Sequence, residues 1–387
     1  MNKNLIANKK IAIVGGGPVG LMAARLLQMK GAVATVYERD KTQDARMLGG
    51  SIDLHKNTGQ KALEKARLLD KFYEKARPTS QRMADKFGNI LMEMMPDQAS
   101  LYDEPEIDRP DLRKILLESL TENTVVWDRQ VIGIDIKTDC FELHFQNGST
   151  AFSELVIVAD GSRSRTRKYV TNTEPELTGT FVIQGEILHP ESACPLIYKL
   201  ANNGNLAAVE DKKAVFLHNK GTGSLCYYVS FNEVSSLFRD RNIDLKNIPA
   251  VRVFLEEMFT GWDKSYMEMF RATNEFTGFP LNVFPLKQSW NPHNNITLIG
   301  DAAHVMPPFG GNGVNIGLLD ALNLTENLTN GEFSDIQSAI DDYEKKMFAY
   351  AAPVQLGAME ADKRIHSQTE NAFKRVEKMM QERRKQK

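Results

Sequence analysis

Cysteine is scarce in this chain, and the few present are not placed to act together. The 387 residues include three, Cys140, Cys194 and Cys226. They form an odd, scattered set without C-x-x-C spacing, which argues against a disulfide framework or a zinc site and fits a reducing cytoplasm. No run of about 18 apolar residues exists, and the opening MNKNLIANKK lacks a signal-peptide core, so no membrane association is predicted. Neither charge is in excess: 48 basic and 50 acidic residues leave a net −2, which gives no footprint for nucleic acid. Internal repeats and low-complexity linkers are also missing. What remains is a chain whose 42% hydrophobic residues suffice for two or three domains. We expect a monomer acting on small molecules.

The first positive signal lies near the start. Ile11 to Val14 form an apolar run suited to a strand buried on both faces. Gly15, Gly17 and Gly20 follow at G-x-G-x-x-G spacing, ahead of LMAARLLQMK with helical periodicity. In such a unit the first glycine permits a tight turn and the second lets the backbone approach a pyrophosphate. The third lets helix and strand pack closely. The helix start adds free N–H groups and a positive dipole end. A second apolar stretch, Ala32 to Tyr37, ends at Glu38 and Arg39. Glu38 stands 18 residues after Gly20, where an acid accepts from both hydroxyls of an adenosine ribose. That favours FAD or NAD. A ligand-free glycine turn is the alternative, and strand, helix and terminal acid together disfavour it.

Two later segments share the theme. Leu155 to Ala159 form a buried strand that delivers Asp160 and Gly161 at the head of DGSRSRTR. Ile296 to Ile299 form another, turned by Gly300-Asp301 and followed by MPPFGGNGVNIGLLDALNL, which enters a helix. Gly310, Gly311 and Gly313 suit close approach of backbone to a flat ring. Between these motifs we predict one helix over LEKARLLDKFYEKA and a strand pair turning at Gly88-Asn89. A helix in DRPDLRKILLESL follows, with Asp108 or Asp111 as cap, then strands turning at Thr138-Asp139 and Asn147-Gly148. Residues 177 to 285 read as largely β. The tail from Asp335 reads as helical except near Pro353, with a basic QERRKQK end. The pattern is an interrupted nucleotide-binding domain carrying a mostly β insertion.

Asp160, Gly161, Ser164 and Arg167 match a D-G-x-x-S-x-x-R pattern. With the G-D segment, they make the sequence resemble the single-component FAD-dependent aromatic hydroxylases, the p-hydroxybenzoate hydroxylase group. The resemblance narrows to the tetracycline-inactivating flavin monooxygenases through AIVGGGPVGL, VYERD, DARMLGGSIDLHKNTGQ, RPDLRKILLESL, VVWDRQ, TGTFVIQGEI and GDAAHVMPPFGGNGVN, across nearly the whole chain. It implies an α/β fold: a Rossmann-like FAD-binding domain (1–70, 102–176 and 275–345), an inserted mostly-β substrate domain (71–101 and 177–274) and a C-terminal helical segment (346–387). For FAD it implies Gly15, Gly17, Gly20, Glu38, Arg39, Asp53, Arg113, Asp160, Asp301 and Gly313, with Asp301 on a ribityl hydroxyl. Arg46 is implied for NADPH, and Gln184, Pro308 and Gly311 for substrate. His304 is expected to shape its loop. Without the family, Arg46 and Arg113 read as helix or surface ion-pair residues.

The resemblance further implies that NADPH reduces FAD, that the reduced flavin captures molecular oxygen, and that a flavin hydroperoxide carries the chemistry, so no side chain is named as catalytic. The substrate would be a tetracycline or similar multi-ring phenol or enol. Two positions depart from the family. Asn205 stands where a substrate-contacting arginine is expected, and Cys226 where a histidine faces the substrate. The family's PPFAGQG-type loop reads here Pro307-Pro308-Phe309-Gly310-Gly311-Asn312-Gly313. A hydroxylase of another aromatic compound and a non-catalytic flavin- or drug-binding protein are the rivals. A flavin-dependent halogenase is disfavoured, because Trp127, Trp262 and Trp290 are isolated and no W-x-W-x-I-P segment occurs.

Overall fold

The computed structural model describes residues 4–45, 49–232, 243–285, 290 and 295–367. In chain order its elements begin β1 (Lys10–Val14), α1 (Pro18–Met29), β2 (Val33–Tyr37), β3 (Ser51–Asp53), α2 (Gly59–Lys65), α3 (Leu69–Tyr73), β4 (Gln81–Ala84), β5 (Ile90–Met94), β6 (Glu106–Asp108) and α4 (Arg109–Glu118). Next come β7 (Val125–Val126), β8 (Val131–Ile136), β9 (Phe141–Phe145), β10 (Thr150–Ser153), β11 (Leu155–Val158) and β12 (Glu176–Ile187). They are followed by α5 (Pro190–Ala193), α6 (Pro195–Ala201), β13 (Asn205–Glu210), β14 (Lys213–Asn219), β15 (Leu225–Asn232), α7 (Ile248–Met258) and α8 (Lys264–Ala272). The chain closes with β16 (Phe276–Val283), β17 (Ile296–Leu298), α9 (Asp301–His304), α10 (Asn312–Thr329) and α11 (Ile336–Ser367).

The architecture is α/β with two principal sheets. A five-stranded parallel sheet has the order β17-β11-β1-β2-β7. All four residues of β11 and the last four of β1 are buried, as expected for strands covered on both faces. Helix α1 packs beside β2 and against α10, which sets the Rossmann-like character. A seven-stranded sheet, β16-β12-β15-β14-β13-β4-β5, is antiparallel except where β4 joins β13 in parallel. One face of it buries Ile183, Leu206, Leu217, Tyr227 and Val229 against Val251, Leu255, Phe259 and Phe270 of α7, α8 and the segment between them. The opposite face is left to meet the rest of the molecule. The small β3–β6 ribbon lies at that junction. No helix among the described residues is long and apolar enough to cross a membrane.

Three local expectations are corrected. The single helix over LEKARLLDKFYEKA is two, α2 and α3, because Arg67 takes a left-handed φ of 59°. That turn aims Leu68 and Phe72 inward with Leu63 and Ala66, all of them buried. The stretch 177–285 contains helices the strand pattern hid. Asn247 accepts from the Ala250 N–H at 3.2 Å to start α7, and Asp263 from Ser265 N–H at 2.9 Å to start α8, both N-cap contacts. Lastly, α11 runs unbroken through Pro353. An interior proline costs about 3 kcal/mol or more. Here buried side chains flank it on both sides, Tyr343, Met347 and Ala351 before it and Gln355, Ala358 and His366 after it. Gln355 Nε2 also donates to the carbonyls of Phe284 and Val305. Packing holds the helix across the defect.

Candidate functional site

The carboxyl ends of four parallel strands meet at one edge, the place where open α/β sheets bind ligands. β1 delivers Gly15, β2 delivers Glu38, β11 leads to Asp160, and β17 leads to Gly300-Asp301. Gly15 has φ 109°, and a Cβ there would run into the Ala159 carbonyl oxygen; one at Gly20 would strike the Gly15 carbonyl. Both glycines are therefore required by backbone contact. At Gly17 the reverse holds, since a Cβ would meet nothing within 4 Å. Gly17 is the N-cap of α1, no side chain among the described residues caps this helix start, and its first turn carries no acid. An open cradle faced by uncapped N–H groups suits an anion such as a pyrophosphate.

Glu38 is buried, 1% exposed. Its carboxylate accepts from the Gly16 N–H and, at 2.9 Å, from the Asp40 N–H, so the end of β2 is tied to the glycine turn. Asp40 in turn meets Arg113, whose guanidinium donates to the Gln43 carbonyl at 2.8 Å and to Asp40 Oδ2 at 3.3 Å. The Arg113 guanidinium carbon also lies 5.2 Å from the Trp127 ring centre. Arg113 thus sits, buried, at the same edge as Glu38. Arg39 is exposed. Arg46 lies outside the described residues.

The two later motifs are stapled together. Arg167 is buried and donates from Nε to the Ala302 carbonyl at 2.7 Å and from Nη2 to the carbonyls of Asp301 and Ser162 at 3.2 Å. Asp160 Oδ2 accepts from Arg165 N–H and Thr166 Oγ1, while Asp160 Oδ1 is enclosed without a partner among the described residues. Burial raises the Asp301 carboxyl above the usual range, against the lowering influence of His304, Arg109 and Arg167. His304 is wholly enclosed and bonds Asp320 at 2.6 Å. Burial opposes its protonation, but the Asp320 carboxylate outweighs that and raises its pKa. Asp320 also accepts from the Gly300 N–H at 2.7 Å and the Tyr350 hydroxyl at 2.6 Å. Asp320 therefore holds the turn from which Asp301 starts.

Asp53 ends β3, and its Oδ2 lies 2.9 Å from His55 Nε2. The backbone of Gly311 comes so close to Asp53 that a Cβ would stand 2.5 Å from Oδ1. Asn315, fully buried on α10, locks this approach. Its Nδ2 donates to the carbonyls of Asp53 and Gly311 at 2.9 and 3.1 Å, and its Oδ1 accepts from His55 N–H at 2.8 Å. Sequence reasoning missed Asn315 and Asp320. The available signal was a polar residue on the apolar face of the helix after the glycines. Gly313 is the second residue of α10, where a Cβ would be 3.6 Å from Asp301 Oδ1, and Pro308 is exposed on the preceding loop.

The open face of the seven-stranded sheet presents its residues in rows fixed by register. One row is Ala207, Phe216, Tyr228, Gln184 and Thr277; the next is His218, Cys226 and Glu186. The pairing of Leu206 with Leu217 places Asn205 beside His218 at the end of that row. Gln184, Asn205 and Cys226 therefore share one face. Tyr228 Oη accepts from the Gly50 N–H at 2.8 Å, and Asn205 Nδ2 donates to Glu106, which also accepts from Ser51. The rings of Phe216 and Phe309 lie 5.7 Å apart. They line an open cavity of about 450 Å³ between the glycine-rich loop and α11, together with Asn312, Val354, Ala358 and Arg364. Two side chains of α11 fasten it to the sheet: Asp362 accepts from Thr180 at 2.8 Å and contacts His366 at 2.7 Å, and His366 Nε2 meets Ser230 Oγ at 2.9 Å.

Comparison with known proteins bears on this arrangement. Monooxygenase asqM of Emericella nidulans is 28% identical over 82% of this chain and 83% of its own length. Among solved structures, Klebsiella pneumoniae HpxO complexed with FAD and uric acid has a TM-score of 0.78 at 20% identity, covering 99% of this chain and 94% of that one. Tetracycline destructase Tet(51) has a TM-score of 0.71 at 22% identity, covering 97% and 95%. At these identities the two structures share the fold. Residues 8–187 and 275–355 match the family described as FAD binding domain, well over half of the sequence, and the chain belongs to that family.

Proposed function

Starting from that membership, we propose that this FAD-dependent monooxygenase consumes NADPH and molecular oxygen to hydroxylate a tetracycline or a similar multi-ring phenol or enol. The observation that carries the reading is the open sheet face with Gln184, Tyr228 and Phe216, where Phe216 meets Phe309 of the glycine-rich loop beside a cavity of about 450 Å³. Such a space takes a drug-sized ring system. We take 71–101 and 177–274 as the substrate-binding unit of a cytoplasmic monomer.

FAD, when bound, supplies the redox and oxygen-transfer chemistry with electrons from NADPH. The chain's own part is to hold and enclose. The uncapped start of α1 at Gly17 would receive the pyrophosphate, and Glu38 the adenosine ribose, with Arg39 and Arg113 beside it. Asp301 and Gly313 would hold the ribityl chain, Asp160 the neighbouring turn, and Asp53 with Gly311 the ring. Phe216 and Phe309 wall the cavity and exclude water. Gln184 orients the polar edge of the substrate, and Pro308 and Gly311 border it. Arg46 is assigned to NADPH, so Arg46→Ala should slow flavin reduction while FAD stays bound.

Another aromatic substrate is favoured by one feature. Asn205 is committed to Glu106, and burial pushes the Cys226 thiol up to about 11, so neither offers a cation to a substrate's acidic edge. We expect FAD-loaded protein to be reduced by NADPH in stopped flow, and to convert tetracycline into a product heavier by one oxygen atom. Hydrogen peroxide as the only product across several tetracyclines would move the reading to another phenol or enol. Absence of flavin reduction would leave a non-catalytic binding protein.

A further inference from the structure

One residue of the open sheet face has no part in the roles above. His218 lies on β14 in register with Cys226 and, through it, with Glu186. Its ring meets Tyr228 edge-on, with centroids 5.8 Å apart. We propose that His218 accepts the proton of the substrate's phenol or enol hydroxyl, and so is a catalytic residue of the hydroxylation set out above, on which this proposal rests.

Its neighbours on the face are unsuited to the task. Burial raises the Cys226 thiol to about 11 and the Tyr228 phenol to about 12, so both keep their protons at neutral pH. Glu186 is held by Lys220 Nζ at 2.6 Å and Ser224 Oγ at 3.1 Å. His218 is different. Burial lowers its pKa, Glu106 on β6 and Asp53 on β3 act to raise it, and Arg109 on α4 and Arg77 add to the lowering. The net result is a neutral imidazole, which can accept a proton. Its Nδ1 is enclosed without a hydrogen-bond partner among the described residues, and so is Oδ1 of the adjacent Asn205. Enclosed polar atoms normally find partners. Two enclosed polar atoms without partners on neighbouring residues, on the sheet face whose Phe216 meets Phe309 of the glycine-rich loop, call for a bound molecule to pair with them.

The step is a proton transfer. The substrate O–H bond breaks, its electron pair stays on oxygen, and an N–H bond forms on the imidazole, giving imidazolium. Glu106 and Asp53 offset the new charge. Nothing is oxidised or reduced. The phenolate or enolate so formed is electron-rich at the carbon to be oxygenated, and the imidazolium returns its proton to the product oxygen.

The test compares FAD-loaded wild type with His218→Asn and His218→Gln, using tetracycline, 3-amino-4-hydroxybenzoate and urate as probes from pH 6 to 9. Product formation should fall by about tenfold or more at pH 7, within the range of general-base contributions. The deficit should shrink toward pH 9 for a probe whose hydroxyl ionises in water, while flavin reduction by NADPH keeps the parent rate. Without turnover, absorbance of the probe bound to oxidised holoenzyme should show its hydroxyl ionising at higher pH in the variants than in wild type. A deficit that is the same at every pH, or none at all, overturns the role of His218 and leaves the monooxygenase reading standing. Failure of wild type to oxygenate any probe overturns that reading, and the role of His218 with it.

Discussion

The strand-end edge and the open sheet face are built by different rules. At the edge, Gly15, Gly17 and Gly20 lie within one turn and a half of chain, and backbone contacts fix what each position tolerates. On the face, Gln184, Cys226, His218 and Asn205 come from four strands, and only antiparallel register makes them neighbours. The edge is accordingly intolerant of added atoms at Gly15 and Gly20, and open at Gly17. The face accepts changes of side chain because its backbone is held from behind by α7 and α8. On the proposed function, cofactor binding and substrate choice are then separable, and substitutions can show how far.

The largest effect is expected from Gly20→Val. Its Cβ would be forced against the Gly15 carbonyl, where neither backbone can yield. Loss of soluble FAD-bound protein, followed by flavin absorbance and thermal melting, is the expected result; a yellow, normally melting variant would break the account of the edge. Asp301→Ala is milder. A charge-assisted hydrogen bond to a cofactor hydroxyl contributes roughly 1.5–3 kcal/mol, so the FAD dissociation constant should rise about ten- to a hundredfold by fluorescence titration. An unchanged constant would remove the ribityl role.

Gln184→Ala tests the other side of the comparison. Loss of one neutral hydrogen bond to substrate costs about 0.5–1.5 kcal/mol, so KM should rise up to about tenfold with little change in kcat. FAD affinity and the rate of flavin reduction should stay at parent values. If FAD is lost as well, edge and face are coupled after all.

A further effect, on melting rather than on turnover, concerns pH and lies behind the edge. Glu344 on α11 is buried against Thr297 of β17, and burial raises its carboxyl to about 7. The folded state then holds a proton that the unfolded chain releases near its ordinary value. This contribution is fully present below about 4.5 and is lost as pH rises through about 7. Glu344→Gln keeps an acceptor for Thr297 without the ionisation. The variant should melt higher than the parent at pH 8 and nearly equal to it at pH 5. Equal melting at both would show that the carboxyl ionises freely.

Much of the edge was legible because its determinants are local. Glycine spacing, the apolar runs of β1, β2, β11 and β17, and the acid closing β2 are all read within about thirty residues of sequence at a time. The helices at 248–258 and 264–272 were not, since each is short and owes its stability to the sheet it covers. Arg67 and Pro353 misled for the same reason: buried neighbours on both sides decide whether a chain turns or continues there. By itself the sequence determined the glycine turn after β1, the alternation of strands and helices, and the two-sheet plan, because these follow from backbone sterics and hydrophobic period. Only the tertiary structure decided that Asn315 pins Asp53 to Gly311, that Asp320 holds the turn before Asp301, and that His218 lies beside Cys226. Those relations join residues far apart in the chain, and register and packing, which no local spacing encodes, bring them together.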